Sequence, residues 1–496
     1  MSVSDNLPPG ADDEYVDQIG KHARRGLTWG IAGNIATKAG TFVVGLVMAR
    51  LISPDHFGVF AVALAAMTFA VHVNDAGIFA ACIQWRGKIE DMAPTASTIA
   101  LGSSVLVYLA LFLAAPAFAS LSGVPEATTP VRVLCAAILI DGIASVRMAA
   151  LNRRFQQDLQ AKATVAGTVA YAAVALPLGF LGAGTYALVF ATLAQWAVLD
   201  GLVFKMAALP IRLGFDRSIA RQLFKFGLPL AASSGLEAIF MNADFVIVGN
   251  VLGAAAAGYY LLAFNISSWA PGLVSTAVKY VAIPGFSRLA EQGTHALQDG
   301  VNRTVPVLIA TVLPIAVMMI TLDRQLIQVA YGDKWDASAV ALTYLAVLMV
   351  VRMLAYFAMD IVTSAGRTRA AMILMVGWGA ALIPALYVGT TMDGIRGTAI
   401  AHALVGLFVA LPLTVLILRL AQVSLVPTLP KLVRPAIAAV ITGVITWYVS
   451  RHVSSNALVE LIVAGGIGMI AYVLMVVPLA TLRRLGGRLA RRERNT

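Results

Sequence analysis

The sequence predicts an all-α polytopic membrane protein with about 14 transmembrane helices, arranged as two parallel six-helix lobes plus two C-terminal helices. The first observation is the composition: 59% of the 496 residues are hydrophobic, 12% are charged, and the mean hydropathy is +0.83. The second is a series of continuous apolar runs of about 20 residues, the length of helix that crosses a hydrocarbon core of about 30 Å. A backbone in lipid must satisfy its own polar groups, so each run is expected to be helical. The third is an internal repeat.

Short loops separate the apolar runs, and the shortest of these breaks is Leu181–Gly184, between the fifth and sixth. The predicted spans are 27–50, 57–81, 95–119, 130–149, 163–181, 183–205, 223–251, 256–283, 303–322, 336–362, 370–388, 395–418, 432–450 and 457–481.

The distribution of positive charge predicts the orientation of the chain. Most of the 36 Lys and Arg residues lie in segments that are cytoplasmic if the N-terminus is inside, as positive charge is in membrane proteins generally. Both termini are therefore expected in the cytoplasm, and the net charge of +11 needs no nucleic acid partner. We expect a cytoplasmic arm over 1–22 without a cleavable signal peptide, and a basic cytoplasmic tail over 483–496.

The internal repeat relates the first span to the seventh. Trp29-Gly30 opens one and Phe226-Gly227 opens the other, and each long helix leads through a short connector to a glycine followed by aromatic residues. Both copies begin on the same side, so they are parallel repeats. The predicted domains are an N-lobe over 23–210, an inter-lobe linker over 211–225, a C-lobe over 226–420, and two further spans within 421–482.

Several motifs resemble the polysaccharide transporter branch (Wzx/WzxC-like) of the multidrug/oligosaccharidyl-lipid/polysaccharide exporter superfamily. They are Ala-Arg-Leu-Ile-Ser-Pro-Asp-His-Phe-Gly-Val-Phe-Ala over 49–61, Asn-Arg-Arg-Phe over 152–155, Gly-Ala-Gly-Thr-Tyr-Ala-Leu-Val over 182–189, Asp-Phe-Val-Ile-Val-Gly over 244–249, and Gly-Tyr-Tyr over 258–260. The resemblance covers nearly the whole chain.

The resemblance implies a flippase in the inner membrane of a bacterium. Its substrate would be an undecaprenyl-pyrophosphate-linked oligosaccharide, moved from the inner to the outer leaflet by alternating access for exopolysaccharide, capsule or O-antigen synthesis. The implied partners are this lipid-linked oligosaccharide, membrane lipids and the polysaccharide polymerase machinery.

Two other functions fit the sequence less well than a flippase. A cation-coupled multidrug exporter of the same superfamily would need a cavity dominated by carboxylates, whereas Lys38 and Arg352 favour an anionic substrate. A membrane polymerase or ligase would need a large outward loop, and the longest one, Thr321–Asp336, is short. No catalytic, nucleotide-binding or metal-ligand motif is visible, and Cys82 and Cys135 have no metal or disulfide spacing. We therefore expect no enzyme activity, no cofactor and no metal.

Charged residues inside the spans are the candidate site, because burial in a bilayer is costly for an ionisable group. Asn34 and Lys38 lie on one polar stripe of the first span, and Glu237 and Asp244 lie on a similar stripe of the seventh. Lys38 and Glu237 fall at matching positions of the repeat. Two hypotheses remain open: a structural ion pair between lobes, or a Lys38 that binds pyrophosphate while Glu237, with Asp244, acts in coupling or gating.

A second cation, Arg352, lies within the tenth span. One hypothesis is a contact within its own helix, to Tyr356 and Asp360; the other is binding of phosphate or sugar, together with Asn265 of the eighth span. The remaining intramembrane charges, which are Asp75, Asp141, Arg147, Asp200 and Lys279, are interpreted as contacts between helices or with the interface. His72 and His402 are interpreted as packed polar contacts rather than proton relays.

Overall fold

The computed structural model describes residues 33–85, 87–154, 156–209, 212–269, 294–364, 367–453 and 456–477. Helix occupies part of each of the fourteen predicted spans, so the predicted fold class is confirmed. The arm over 1–22, the tail over 483–496 and the second half of the eighth span, 270–283, lie outside the described residues.

The helices that correspond to the spans are numbered in chain order. They are α1 (33–51), α2 (Pro54–Gln84), α3 (Ile89–Leu121), α4 (Ala137–Arg153), α5 (Gln157–Phe180), α6 (Thr185–Met206), α7 (Arg217–Leu252), α8 (254–269), α9 (Thr294–Thr321), α10 (Ala337–Ser364), α11 (Thr368–Val405), α12 (Leu411–Leu420), α13 (Leu429–Val453) and α14 (Ala457–Val476).

Within the described residues, 11 helical segments are long and apolar enough to cross a membrane. The predicted eleventh and twelfth spans form a single run, Arg369–Leu420, because helix continues through a π-helical turn at Gly406–Ala410. The backbone within this run is non-helical at Asp393 and Gly394, inside the predicted loop between the two spans. The described parts of α1 and α8 are too short, or not apolar enough, to be counted.

Three local features differ from or refine the predicted boundaries. The fourth span is two helices, Thr128–Leu134 and α4, with a break at Cys135 and Ala136. The outward loop predicted at Thr321–Asp336 contains a short helix, Asp323–Tyr331. The break between α5 and α6 is where the sequence places it, with Gly182 and Gly184 both at positive φ, a conformation that glycine adopts without strain.

The chain divides into two compact units, the first ending at Ala257 and the second beginning at Gly258. In the first unit α2 is central and packs against α7, α4 and α3. Its core includes Cys82, Met92, Val146 and Leu223. In the second unit α10 packs against α11 and α9, and α13 packs against α14.

The segment before α7 is bound to α3 by hydrogen bonds. The hydroxyl of Thr98 donates to the Gly214 carbonyl (2.9 Å), and the Asp216 N–H donates to the hydroxyl of Thr95 (2.9 Å). Asp216 also caps α7, because its carboxylate accepts from the N–H groups of Ser218 (2.7 Å) and Ile219 (3.0 Å). This segment is part of the predicted linker; the lobe boundaries themselves stay a prediction.

Candidate functional site

The first unit contains Lys38 of α1 and Glu237 of α7, both half-buried. No ion pair joins them, and neither side chain has a hydrogen-bond or ion-pair partner among the residues that the structure describes. The hypothesis of a standing structural pair therefore does not describe this conformation. Lys38 instead presents an ammonium group that no described residue compensates, within a helix that is predicted to span the membrane.

Asn34 and Asp244 differ from each other in burial. Asn34 is half-buried on the same helix as Lys38, one turn earlier. Asp244 is only 2% exposed, and its carboxylate accepts a hydrogen bond from the N–H of Phe245 (3.0 Å). Asp244 therefore lies in the packed part of α7, whereas Glu237 lies nearer its accessible side.

The second unit holds Arg352 at the contact between α8 and α10. The guanidinium donates to the Ser268 hydroxyl (3.1 Å) and to the Tyr356 hydroxyl (3.2 Å), and it lies over the ring of Phe264, 4.7 Å from the centroid. The predicted contact with Tyr356 is therefore present. No carboxylate pairs with Arg352 within the described part of the chain. Asn265, next to Phe264 in α8, is exposed.

A buried polar contact lies next to Phe264, the aromatic residue that Arg352 covers. His402 is 6% exposed, and its Nδ1 lies 3.1 Å from the hydroxyl of Tyr260. The His402 ring stacks on the ring of Phe264, and the Arg352 guanidinium lies over the same Phe264 ring. The aromatic residues thus fix the guanidinium in place while neutral hydroxyls use only two of its five N–H donors. An arginine held in this way can bind a phosphate group.

A second polar network lies in the first unit and includes Asp141, for which a contact between helices was predicted; its partners were not predicted. Asn74 of α2 donates to the carboxylate of Asp141 (3.2 Å), and its carbonyl oxygen accepts from Ser103 (3.2 Å) and Ser104 (3.1 Å) of α3. Asp200 of α6 is 3% exposed, and Asp141 acts on it electrostatically. The sequence signal for this network is the presence of polar residues, Asn74 and the adjacent Ser103 and Ser104, inside apolar runs.

Backbones approach very closely at one end of the first unit. A Cβ on Gly58 of α2 would lie 1.7 Å from the carbonyl oxygen of Ala254, and one on Gly249 of α7 would lie 2.7 Å from that of Ser122. The Asn250 side chain donates to the Leu121 carbonyl (2.8 Å). These glycines allow α2 and the turn after α3 to close against the end of α7.

A cavity of about 470 Å³ lies at the opposite ends of α2 and α7. Gln84 and Trp85 line it from the end of α2, and Gln222 and Phe226 line it from the start of α7. The amide groups offer both donors and acceptors, and the rings offer flat apolar faces. This combination suits a polyhydroxylated ligand.

The fold and these sites define a polytopic helical membrane protein in which Lys38 and Arg352 have no carboxylate partner among the described residues. Residues 47–340 match the model of the family described as "Polysaccharide biosynthesis protein", and the chain belongs to this family. The match confirms the resemblance found in the motifs.

Individual proteins are similar over most of the chain. The succinoglycan biosynthesis transport protein ExoT of Rhizobium meliloti (strain 1021) is 24% identical over 94% of this chain and 95% of its own length. The lipopolysaccharide biosynthesis protein WzxC of Escherichia coli (strain K12) is 23% identical over 72% of this chain and 73% of its own. The lipid II flippase MurJ, in an inward closed conformation, has a similar fold, with a TM-score of 0.75 at 14% identity over 90% of this chain and 98% of that one.

Proposed function

We propose that this protein is a flippase that moves an undecaprenyl-pyrophosphate-linked oligosaccharide from the inner to the outer leaflet of a bacterial cytoplasmic membrane by alternating access. The observation that carries the proposal is the pair of intramembrane cations, Lys38 and Arg352, neither of which has a carboxylate partner among the described residues. A free positive charge inside a span is costly unless a ligand compensates it, and a pyrophosphate carries the complementary charge.

The oligosaccharide part of the substrate has a second candidate site. The cavity between α2 and α7 is lined by Gln84, Trp85, Gln222 and Phe226. Amides can bind sugar hydroxyls, and aromatic rings can stack on the apolar faces of sugars. By the charge-based orientation this cavity opens to the cytoplasm, where the substrate is made.

The close contacts of Gly58 and Gly249 support alternating access. The repeat assigns α2 to the N-lobe and α7 to the C-lobe, so these contacts would close the pathway on the outer side. Passage of a bulky head group requires them to separate. Packed interfaces of this kind switch between discrete arrangements, which is what a gate requires.

Substitution of Lys38 tests the proposal in cells that depend on this chain for polymer export. Lys38→Ala should abolish export while protein abundance is retained, and Lys38→Arg should keep part of the activity because the charge remains. Lys162→Ala is the matched control, since Lys162 pairs with Asp158 (3.7 Å) at the start of α5. Full export by Lys38→Ala would exclude a role for Lys38 in substrate binding.

A further inference from the structure

We propose that Asp200 is a proton-carrying site inside the first unit and that release and uptake of this proton drive the transport cycle. Asp200 lies in α6, a candidate membrane span, and is 3% exposed. It makes no hydrogen bond or ion pair with any residue that the structure describes, and its Oδ2 is inaccessible. An ionised carboxylate that is 3% exposed, with one oxygen inaccessible and without a described partner, would be poorly solvated, so the neutral acid is the form that fits.

Asp141, the neighbouring carboxyl group, has a different environment. It accepts from Asn74 (3.2 Å), which is in turn held by the hydroxyls of Ser103 and Ser104. The network requires close packing of α3 and α4, since a Cβ on Gly142 would lie 1.9 Å from the Ser104 Oγ. Hydrogen bonding stabilises the ionised form of one of these two carboxyl groups and not of the other. Asp141 therefore holds the negative charge and Asp200 holds the proton.

A buried arginine can respond to proton release. The Arg147 guanidinium lies over the ring of Phe204, 3.9 Å from its centroid, and Phe204 is one helical turn after Asp200 on α6. Arg147 donates to the Ile143 carbonyl (3.2 Å), and its Nε has no partner within the described residues. When the Asp200 proton leaves to water, the carboxylate that remains attracts Arg147. The two helices α4 and α6 would then rearrange.

The other charged side chains that the structure describes on the elements around Asp200 are either exposed or bound to other groups. Asp158 and Lys162 of α5 pair with each other, and Arg132 of the helix Thr128–Leu134 donates to the Phe112 carbonyl (3.0 Å). His72 of α2 has its Nδ1 2.8 Å from the Thr68 carbonyl oxygen. Arg153 of α4 donates to the carbonyls of Cys82 (3.1 Å) and Gly87 (2.8 Å). Lys205 of α6 and both Asp55 and His56 of α2 are exposed, and the side chain of Asp75 of α2 lies outside the described residues. Among the side chains that the structure describes, Asp141 and Arg147 are therefore the charged groups placed to influence Asp200.

Labelling with dicyclohexylcarbodiimide tests the site on the purified full-length protein, because this apolar reagent modifies protonated carboxyl groups in apolar surroundings. Peptide mass spectrometry should find Asp200 modified at low pH, with modification falling at least tenfold as the pH rises, and Asp141 modified less at the same pH. Asp200→Asn should remove this label, and Asp158→Asn should leave it. Labelling of Asp200 that does not change with pH, or that Na⁺ at constant pH suppresses as strongly as alkali does, would overturn the proton assignment.

Thermal unfolding provides a second measurement if the reagent does not reach Asp200. A buried neutral acid stabilises the fold at low pH, and this stability is lost as the pH rises and the group ionises. As the pH rises, the melting temperature of the wild-type protein should therefore fall. The melting temperature of Asp200→Asn, a neutral isostere, should not fall over the same pH range. Identical pH profiles for the two proteins would contradict the proposal.

The role in driving transport rests on the proposed function, but the site itself does not. If Asp200 shows pH-dependent labelling while no lipid-linked oligosaccharide crosses liposome membranes, the proton site stands and the proposed substrate is wrong. If the oligosaccharide crosses at the same rate with or without an imposed pH gradient, and Asp200→Asn behaves as wild type, the proposed function stands and the coupling role of Asp200 is wrong.

Discussion

Replacing Gly249 with alanine should shift the protein away from the conformation described above. The new Cβ would lie 2.7 Å from the Ser122 carbonyl oxygen, whereas ordinary contacts begin at 3.4 Å. The backbone must therefore move by about 0.7 Å, and a carbonyl in a turn cannot rotate away as a side chain would. Inserting a methyl group into such packing costs about 1–3 kcal/mol. If only the closed state bears this cost, its population relative to the open state falls by roughly 5–150-fold.

Thiol accessibility measures this shift. In a protein with Cys82 and Cys135 replaced by alanine, Val124→Cys places a thiol at a position that is 0% exposed beside Gly249. A membrane-impermeant thiol reagent added outside should label it slowly, and Gly249→Ala should increase the labelling rate. Gly102→Ala is the matched control, because a Cβ on this helical glycine would meet no atom within 4 Å.

Two outcomes would refute the gate. One is an unchanged labelling rate in Gly249→Ala relative to the Gly102→Ala control. The other is a lower melting temperature in Gly249→Ala without greater accessibility of Val124→Cys, which would mean that the glycine serves packing alone.

Three further predictions concern topology, charge and helix capping. Cysteines placed at Arg217 and Arg367 should not react with impermeant reagents added to intact cells, and reaction there would contradict the charge-based orientation. If Lys38 and Glu237 pair in another state of the cycle, the double variant Lys38→Met with Glu237→Met should be more abundant than the two single variants predict. It should nevertheless remain inactive in export. Additive effects on abundance would mean that the two side chains never meet. Hydrogen bonds from the N–H of Ile219 and from Ser218 lower the pKa of Asp216, so its capping contribution is present at neutral pH and lost in acid. Asp216→Ala should thus lower the melting temperature at neutral pH, and this decrease should become smaller as the pH falls through the pKa of Asp216. The melting temperature of Asp216→Asn should be closer to that of the wild type.

The helices were predictable because span length and apolar composition depend only on local sequence. The turn at Asp393 and Gly394 lies in a predicted loop because polar residues interrupt the apolar run there. The break at Cys135 and Ala136 was not predicted, since neither residue is a helix breaker like proline or glycine and both keep right-handed helical φ/ψ.

The candidate site was predictable only in part. The repeat could predict matching positions for Lys38 and Glu237, but not the rotation of each helix about its axis, which decides whether side chains meet. The contact of Arg352 with Tyr356 follows from helical spacing. Its contact with Ser268 depends on two helices that are distant in sequence, and a hydroxyl in an apolar run carries no distinctive pattern.

Reconstitution measures whether this protein alone moves a lipid-linked oligosaccharide across a membrane. Liposomes that contain the purified protein and an undecaprenyl-pyrophosphate-linked oligosaccharide are treated with a membrane-impermeant reagent that oxidises exposed sugars. Wild-type protein should bring inner-leaflet sugars within reach of the reagent. Arg352→Ala should slow this by about 10–150-fold, as expected for the loss of a charged hydrogen-bonding group worth about 1.5–3 kcal/mol, and Arg352→Lys should be intermediate. Crossing no faster than in protein-free liposomes, or an Arg352→Ala protein as fast as wild type, would contradict the proposed function.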